Sequence, residues 1–105
     1  MYLIKHLVAR SQITIDELAY AAGVSRVTAS KWVNSRSKPH ALIRKRTALL
    51  LTKINDAVVN GALPSTEDDR TVIRPRVTNA DGTIKQHPIY IRPSVMKAIG
   101  VPLSP

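Results

Sequence analysis

The 105-residue chain predicts a mainly α protein. The expected fold is a compact bundle of four to five helices built on a helix-turn-helix, followed by a C-terminal β-hairpin and a short helix. Three observations predict it. Residues 14–34 hold two short segments with helical apolar spacing, joined at Gly23. Residues 42–58 carry a wide apolar stripe. Beyond Asn60 the pattern changes to strand-like runs on either side of Asn79-Ala80-Asp81-Gly82. The expected organisation is a helix-turn-helix domain over 1–60, a linker over 61–70, and a hairpin and tail over 71–105.

Taken in order, Leu3, Leu7 and Val8 recur at helical spacing and predict a first helix from about Tyr2 to Arg10. Thr14 followed three residues later by Glu17 has capping-box spacing. Asp16 and Glu17 also suit the positive end of a helix dipole. The second helix is expected to bury Ile15, Leu18, Ala19 and Ala22. Gly23 supplies the backbone freedom for the turn, and Val24 plugs it. Ser25 is the expected cap of a third helix, which buries Ala29, Trp32 and Val33. Pro39 can open the next helix. From His40 to about Asn60 the pattern fits one long helix, or two broken near Arg46-Thr47, with Ile43, Leu50, Ile54, Ala57 and Val58 along one stripe.

The last third reads as strands at 71–78 and 83–91. A two-residue Asp81-Gly82 loop would oppose Ala80 with Thr83, Val72 with Ile91, Ile73 with Tyr90 and Pro75 with Pro88. The prolines lack amide donors and discourage a third strand. A short helix is expected from Ser94 to Ile99, with Pro93 at its start and Gly100 at its end. Asp68-Asp69 reads as part of a solvated loop.

Charge narrows the partner class. Sixteen Lys and Arg against seven Asp and Glu give a net +9, which favours a polyanion. Between Arg26 and Arg46 stand Arg26, Lys31, Arg36, Lys38, Arg44, Lys45 and Arg46, with no acid among them. The absence of cysteine excludes disulfides and thiolate metal sites. His6, His40 and His87 lack metal-ligand spacing. No nucleophile–base pair, carboxylate pair or glycine-rich phosphate loop stands out, so neither an enzyme nor a cofactor is expected. No small-molecule ligand is expected either. No apolar run has transmembrane length and the start lacks a signal-peptide pattern. The expectation is a cytoplasmic protein with no membrane partner.

Glu17-Leu18-Ala19, Gly23-Val24-Ser25, Thr28, Ser30, Trp32, Asn34 and Pro39 together resemble the Cro/CI-type (XRE-like) helix-turn-helix family, over about residues 3–58. The resemblance implies a helical bundle that binds double-stranded DNA, most often as a dimer, to regulate transcription. Carried over by position, it places Arg26, Val27, Ser30 and Lys31 toward base edges in the major groove. Thr14, Ser25, Thr28 and Asn34 fall near phosphates or the groove edge. Two positions depart from the family: Ile15 replaces a frequent Gln, and Val33-Asn34-Ser35 replaces Glu-Asn-Gly.

The chemistry of these residue types agrees with that placement. An Arg at the start of the third helix can bond guanine O6 and N7 bidentately, or a phosphate. Val27 can touch a thymine methyl or simply face solvent. Arg36, Lys38, Arg44, Lys45 and Arg46 are better placed for phosphates than for bases, Lys38 and Arg44 above all, and would give a steep salt dependence. The expected function is that of a sequence-specific transcriptional regulator, a repressor of phage or mobile-element type acting as a homodimer by operator occlusion. The alternative is an antitoxin or DNA-binding accessory protein whose C-terminal part binds a protein. The dimer surface has two candidates, residues 42–58 and the hairpin.

Overall fold

The computed structural model describes residues 4–34 and 38–102. Five helices and a hairpin follow in order: α1 (Ile4–Ser11), α2 (Ile15–Ala22), α3 (Arg26–Val33), α4 (Arg44–Val59), β1 (Thr71–Arg74), β2 (Val77–Thr78), β3 (Ile84–Gln86), β4 (Ile89–Ile91) and α5 (Pro93–Ala98). The architecture is mixed, with helices dominant. No helix among the described residues is long and apolar enough to cross a membrane.

The local signals at α2 and α3 act as read from the sequence. Thr14 Oγ1 accepts from the Glu17 amide at 3.0 Å, and the Glu17 carboxylate accepts from the Thr14 amide at 2.8 Å, closing the capping box. Gly23 ends α2 in the left-handed region at φ 70°. The Val24 amide then reaches back to the Ala19 carbonyl at 3.0 Å, the long bond of a Schellman turn. Ser25 caps α3 by accepting from the Thr28 amide at 3.1 Å.

The core is aliphatic around one tryptophan. Leu7, Leu18, Ala29, Trp32, Leu51 and Ile54 are buried at its centre. Full burial of a Leu or Ile contributes about 1.5–3 kcal/mol. Helix α4 runs without a break through Arg46-Thr47 and buries Leu50, Leu51, Ile54 and Ala57. Ile43 and Val58 are half-buried, while Leu42 and Leu49 face outward. Pro39 opens no helix: it is itself buried, and α4 starts five residues later. Leu3, assigned to the first helix, lies outside the described residues, and that helix continues to Ser11, whose Oγ donates to the Leu7 carbonyl at 2.8 Å.

The chain after the hairpin returns to this same core. Ile91, Val95, Met96 and Ile99 are buried in one cluster with the residues of α1 to α4. The half-buried Asp69 is not a solvated loop acid. Its carboxylate accepts from the Ser94 amide at 2.7 Å and the Ser94 hydroxyl at 2.8 Å, capping the first turn of α5 from 25 residues away.

The hairpin keeps the expected register in its middle, where Arg74 pairs Ile89 and Val77 pairs Gln86 and so bracket the Pro75–Pro88 level, and departs from it by one residue at both ends. Asn79, not Ala80, faces Thr83, with the Asn79 amide donating to the Thr83 carbonyl at 2.7 Å. Thr78 pairs Ile84, Val72 pairs Tyr90 and Thr71 pairs Ile91. A two-residue loop of type I′ needs positive φ at both central residues. Only Gly82 takes it, at 89°. Asp81 instead accepts from the Thr83 amide at 3.0 Å and from its hydroxyl. The result is a three-residue loop, and irregularities on either side of the Pro75–Pro88 level split the hairpin into two short ladders. A one-residue slip exchanges the faces of a strand. Here it pairs the buried Ile91 with Thr71 and leaves Val72 and Tyr90 outside.

Candidate nucleic-acid interface

Helix α3 has two distinct sides. Ala29 and Trp32 are buried against the bundle, and Val33 is half-buried. Arg26, Val27 and Lys31 are exposed and Ser30 is half-buried. These four residues line one shallow open groove together with Ile15 and Asn34. Val27 is 64% exposed, unusual for a β-branched residue on an eight-residue helix that already has an apolar face. The four residues expected at base edges are thus brought together. The groove wall opposite them is Ile15, whose apolar side chain cannot hold a phosphate.

The polar residues around the groove are already engaged. Ser25 Oγ donates to Thr28 Oγ1 at 3.0 Å, so the two hydroxyls form a pair at the N-terminus of α3. Asn34 Nδ2 donates to the Ser30 carbonyl at 3.0 Å and to Ser30 Oγ at 3.3 Å, folding back over the helix end. Thr14 is exposed, but its hydroxyl serves the capping box. Lys38 and Arg44 are exposed and lie outside the groove lining. Arg36 lies outside the described residues.

Two basic residues have partners that sequence reasoning missed. Arg26 Nε lies 3.3 Å from Asp16 Oδ1, across the α2–α3 junction. The Arg26 side chain is 65% exposed and that of Asp16 is 19% exposed. The contact lacks hydrogen-bond geometry, since Asp16 Oδ1 has no hydrogen-bond partner among the described residues. Asp16 Oδ1 is buried but the Arg26 guanidinium lies mostly in solvent, and such a half-open contact contributes about 0–1 kcal/mol, less than the roughly 1–3 kcal/mol of discrimination from a bidentate guanine contact. The signal was present as opposite charges in the first turns of successive helices. Arg46, grouped above with the phosphate-facing cations, donates from Nη2 to the Ala22 carbonyl at 3.1 Å. It clamps α4 onto the end of α2.

The strongest electrostatic feature lies at the back of α2. Glu17 is buried, and its carboxylate accepts from the Arg92 amide at 2.9 Å, Arg92 Nε at 3.0 Å and Arg92 Nη2 at 3.0 Å. Arg92 Nη2 also donates to the Gln12 carbonyl at 2.9 Å. Burial pushes the Glu17 carboxyl up, but the Arg92 hydrogen bonds, the Thr14 amide and the guanidinium charge together hold it below its ordinary value. The hydrogen bonds to Glu17 hold the Arg92 guanidinium above its own. Nothing in the capping-box motif reveals a partner 75 residues along the chain.

Among the described residues no three His, Cys, Asp or Glu side chains gather as a metal-ion set. In comparison with known proteins, the chain matches no family model, no curated protein and no solved structure.

Proposed function

We propose that this protein is a sequence-specific double-stranded DNA-binding regulator of transcription, a cytoplasmic repressor that acts as a homodimer by covering its operator. The observation that carries the reading is the outward face of α3, where Arg26, Val27, Ser30 and Lys31 line one groove on a helix fixed from behind by Ala29 and Trp32. A rigid helix with that face presents side chains to base edges in the major groove. The acid-free run of cations supports the same reading, because Lys31, Lys38, Arg44 and Lys45 are exposed and available for phosphate contacts. The Cro/CI-type resemblance agrees with both. Two copies would place two α3 helices on half-sites about one helical turn apart. Leu42, at 89% exposure, and Leu49 offer apolar surface for a second copy.

The test is selection of bound duplexes from a random pool, followed by titration of the selected sequence. Arg26→Ala should lower the preference for the selected over a scrambled duplex by about 1–3 kcal/mol at one position of the site. Equal, weak binding to all duplexes by the unaltered protein would sink the reading.

A further inference from the structure

We propose that the hairpin over residues 71–90 is a second DNA-contacting element, an arm whose Arg74, Arg76 and Lys85 neutralise phosphates flanking the segment read by α3. The inference rests on the reading of α3 as the DNA-facing helix. Four observations carry it.

First, the arm stands away from the core. Residues 71–85 are all exposed, and the molecule measures 47 × 32 × 24 Å. Ten residues from Thr71 to Ala80 reach about 30 Å at the usual strand rise, close to one turn of duplex.

Second, the arm is basic and its charges are not spent within the fold. Over residues 71–90 stand three Lys or Arg, at 74, 76 and 85, and one acid. Asp81, the acid, is occupied by the Thr83 amide and hydroxyl. Among the described residues, Arg74, Arg76 and Lys85 make no ion pair, and Arg74 Nη2 makes only a long 3.4 Å hydrogen bond to the exposed His87 carbonyl.

Third, the base of the arm is fixed on α2, the helix that precedes α3. Arg92, directly after β4, is held by Glu17, and the adjacent Asp16 approaches Arg26. Consecutive residues of α2 therefore tie the arm on one side and the start of α3 on the other.

Fourth, the arm's edges suit a polyanion better than a protein strand. Pro75 and Pro88 remove amide donors, and the ladder is irregular on both sides of them. Prolines, bulges and edge cations are the devices that block strand addition.

The experiment uses the full chain and two duplexes of about three helical turns: one selected from a random pool by the unaltered protein, and its scrambled counterpart. Binding is followed by fluorescence anisotropy from about 50 to about 200 mM salt. In the triple variant Arg74→Ala, Arg76→Ala, Lys85→Ala, the slope of log K against log salt should fall by about 2–3, at ~0.9 per lost phosphate contact. Affinity should drop equally for both duplexes, so the selected-to-scrambled ratio is kept. The Arg74→Lys, Arg76→Lys variant with Lys85 intact should keep the original slope. The Val72→Ala, Tyr90→Ala variant should keep it as well. A triple variant with the unaltered slope and affinity overturns the arm while leaving α3 as the reading helix. A slope lost in the Val72, Tyr90 variant also overturns it, since the arm would then act through apolar contact. Failure of the unaltered protein to bind either duplex overturns both readings.

Discussion

The helical core and the hairpin are built from similar aliphatic residues and meet opposite fates. Leu51, Ile54 and Val95 are buried, whereas Val72, Val77 and Ile84 are exposed on the arm. Composition therefore does not separate the two regions; partners do. The apolar stripes of α1 to α4 close on one another, and α5 returns to complete them. The hairpin meets that core through Ile91 of β4, and beyond it is two short ladders interrupted at a pair of prolines. The same contrast is repeated in miniature on α2. Glu17 and Asp16 are neighbours, each facing an arginine, but one pair is enclosed and held by several hydrogen bonds while the other is a single contact near solvent.

The largest expected effect breaks the enclosed pair. Glu17→Ala removes the acceptor for Arg92 and half of the α2 capping box, and should cost about 3–5 kcal/mol in urea unfolding. Its pH dependence sharpens the point. Because the folded carboxyl lies below its ordinary value, its contribution is fully present above that ordinary value, near 4.3. It is lost as pH falls through the lowered folded value. Asp69 and Asp81 are shifted in the same direction and act with the same sign. Glu17→Gln should therefore flatten the acid limb of stability only in part. An acid limb identical to that of the unaltered protein would show that Arg92 does not stabilise the charged form.

A matched pair of truncations measures the difference between core and arm directly. Leu51→Ala should cost about 2–5 kcal/mol through lost burial and the cavity left behind. Val72→Ala should stay within about 0.5 kcal/mol. Comparable losses would mean that the arm is covered in solution.

The smallest expected effect concerns the open pair. Asp16→Asn should change stability by less than about 1 kcal/mol. By releasing Arg26 and removing a negative charge beside the groove, it should raise affinity for any duplex and steepen the salt dependence, read by the same anisotropy titration. Weaker duplex binding in this variant would show that Asp16 positions Arg26 for use rather than withholding it.

Much of α2, the turn and α3 was legible because their signals are local. Thr14 and Glu17 are three residues apart, Gly23 sits at the left-handed cap, and Ser25 meets Thr28 within one turn. Apolar spacing likewise located the buried side of α4, and the exposed side of α3 followed from what remained. The hairpin was legible as a hairpin, and in register at its prolines but not at its two ends, because Asp81-Gly82 is compatible with two loop lengths and irregularities on either side of the prolines shift the pairing. What chose between them was whether Asp81 would adopt positive φ or use its carboxylate on Thr83. The closing role of α5 was not legible: Val95, Met96 and Ile99 are too few to show a period, and their partners lie on helices far away in the chain.

By itself the sequence determined the cap residues, the turn, the helical faces and the distribution of charge, because each depends on neighbours within a turn or two. Only the tertiary structure decided which charges are spent. Glu17 with Arg92, Arg46 with the Ala22 carbonyl and Asp69 with Ser94 are pairs across 24 to 75 residues. Long-range pairs of this kind depend on how elements stack, and stacking is set by the sum of many apolar contacts rather than by any motif.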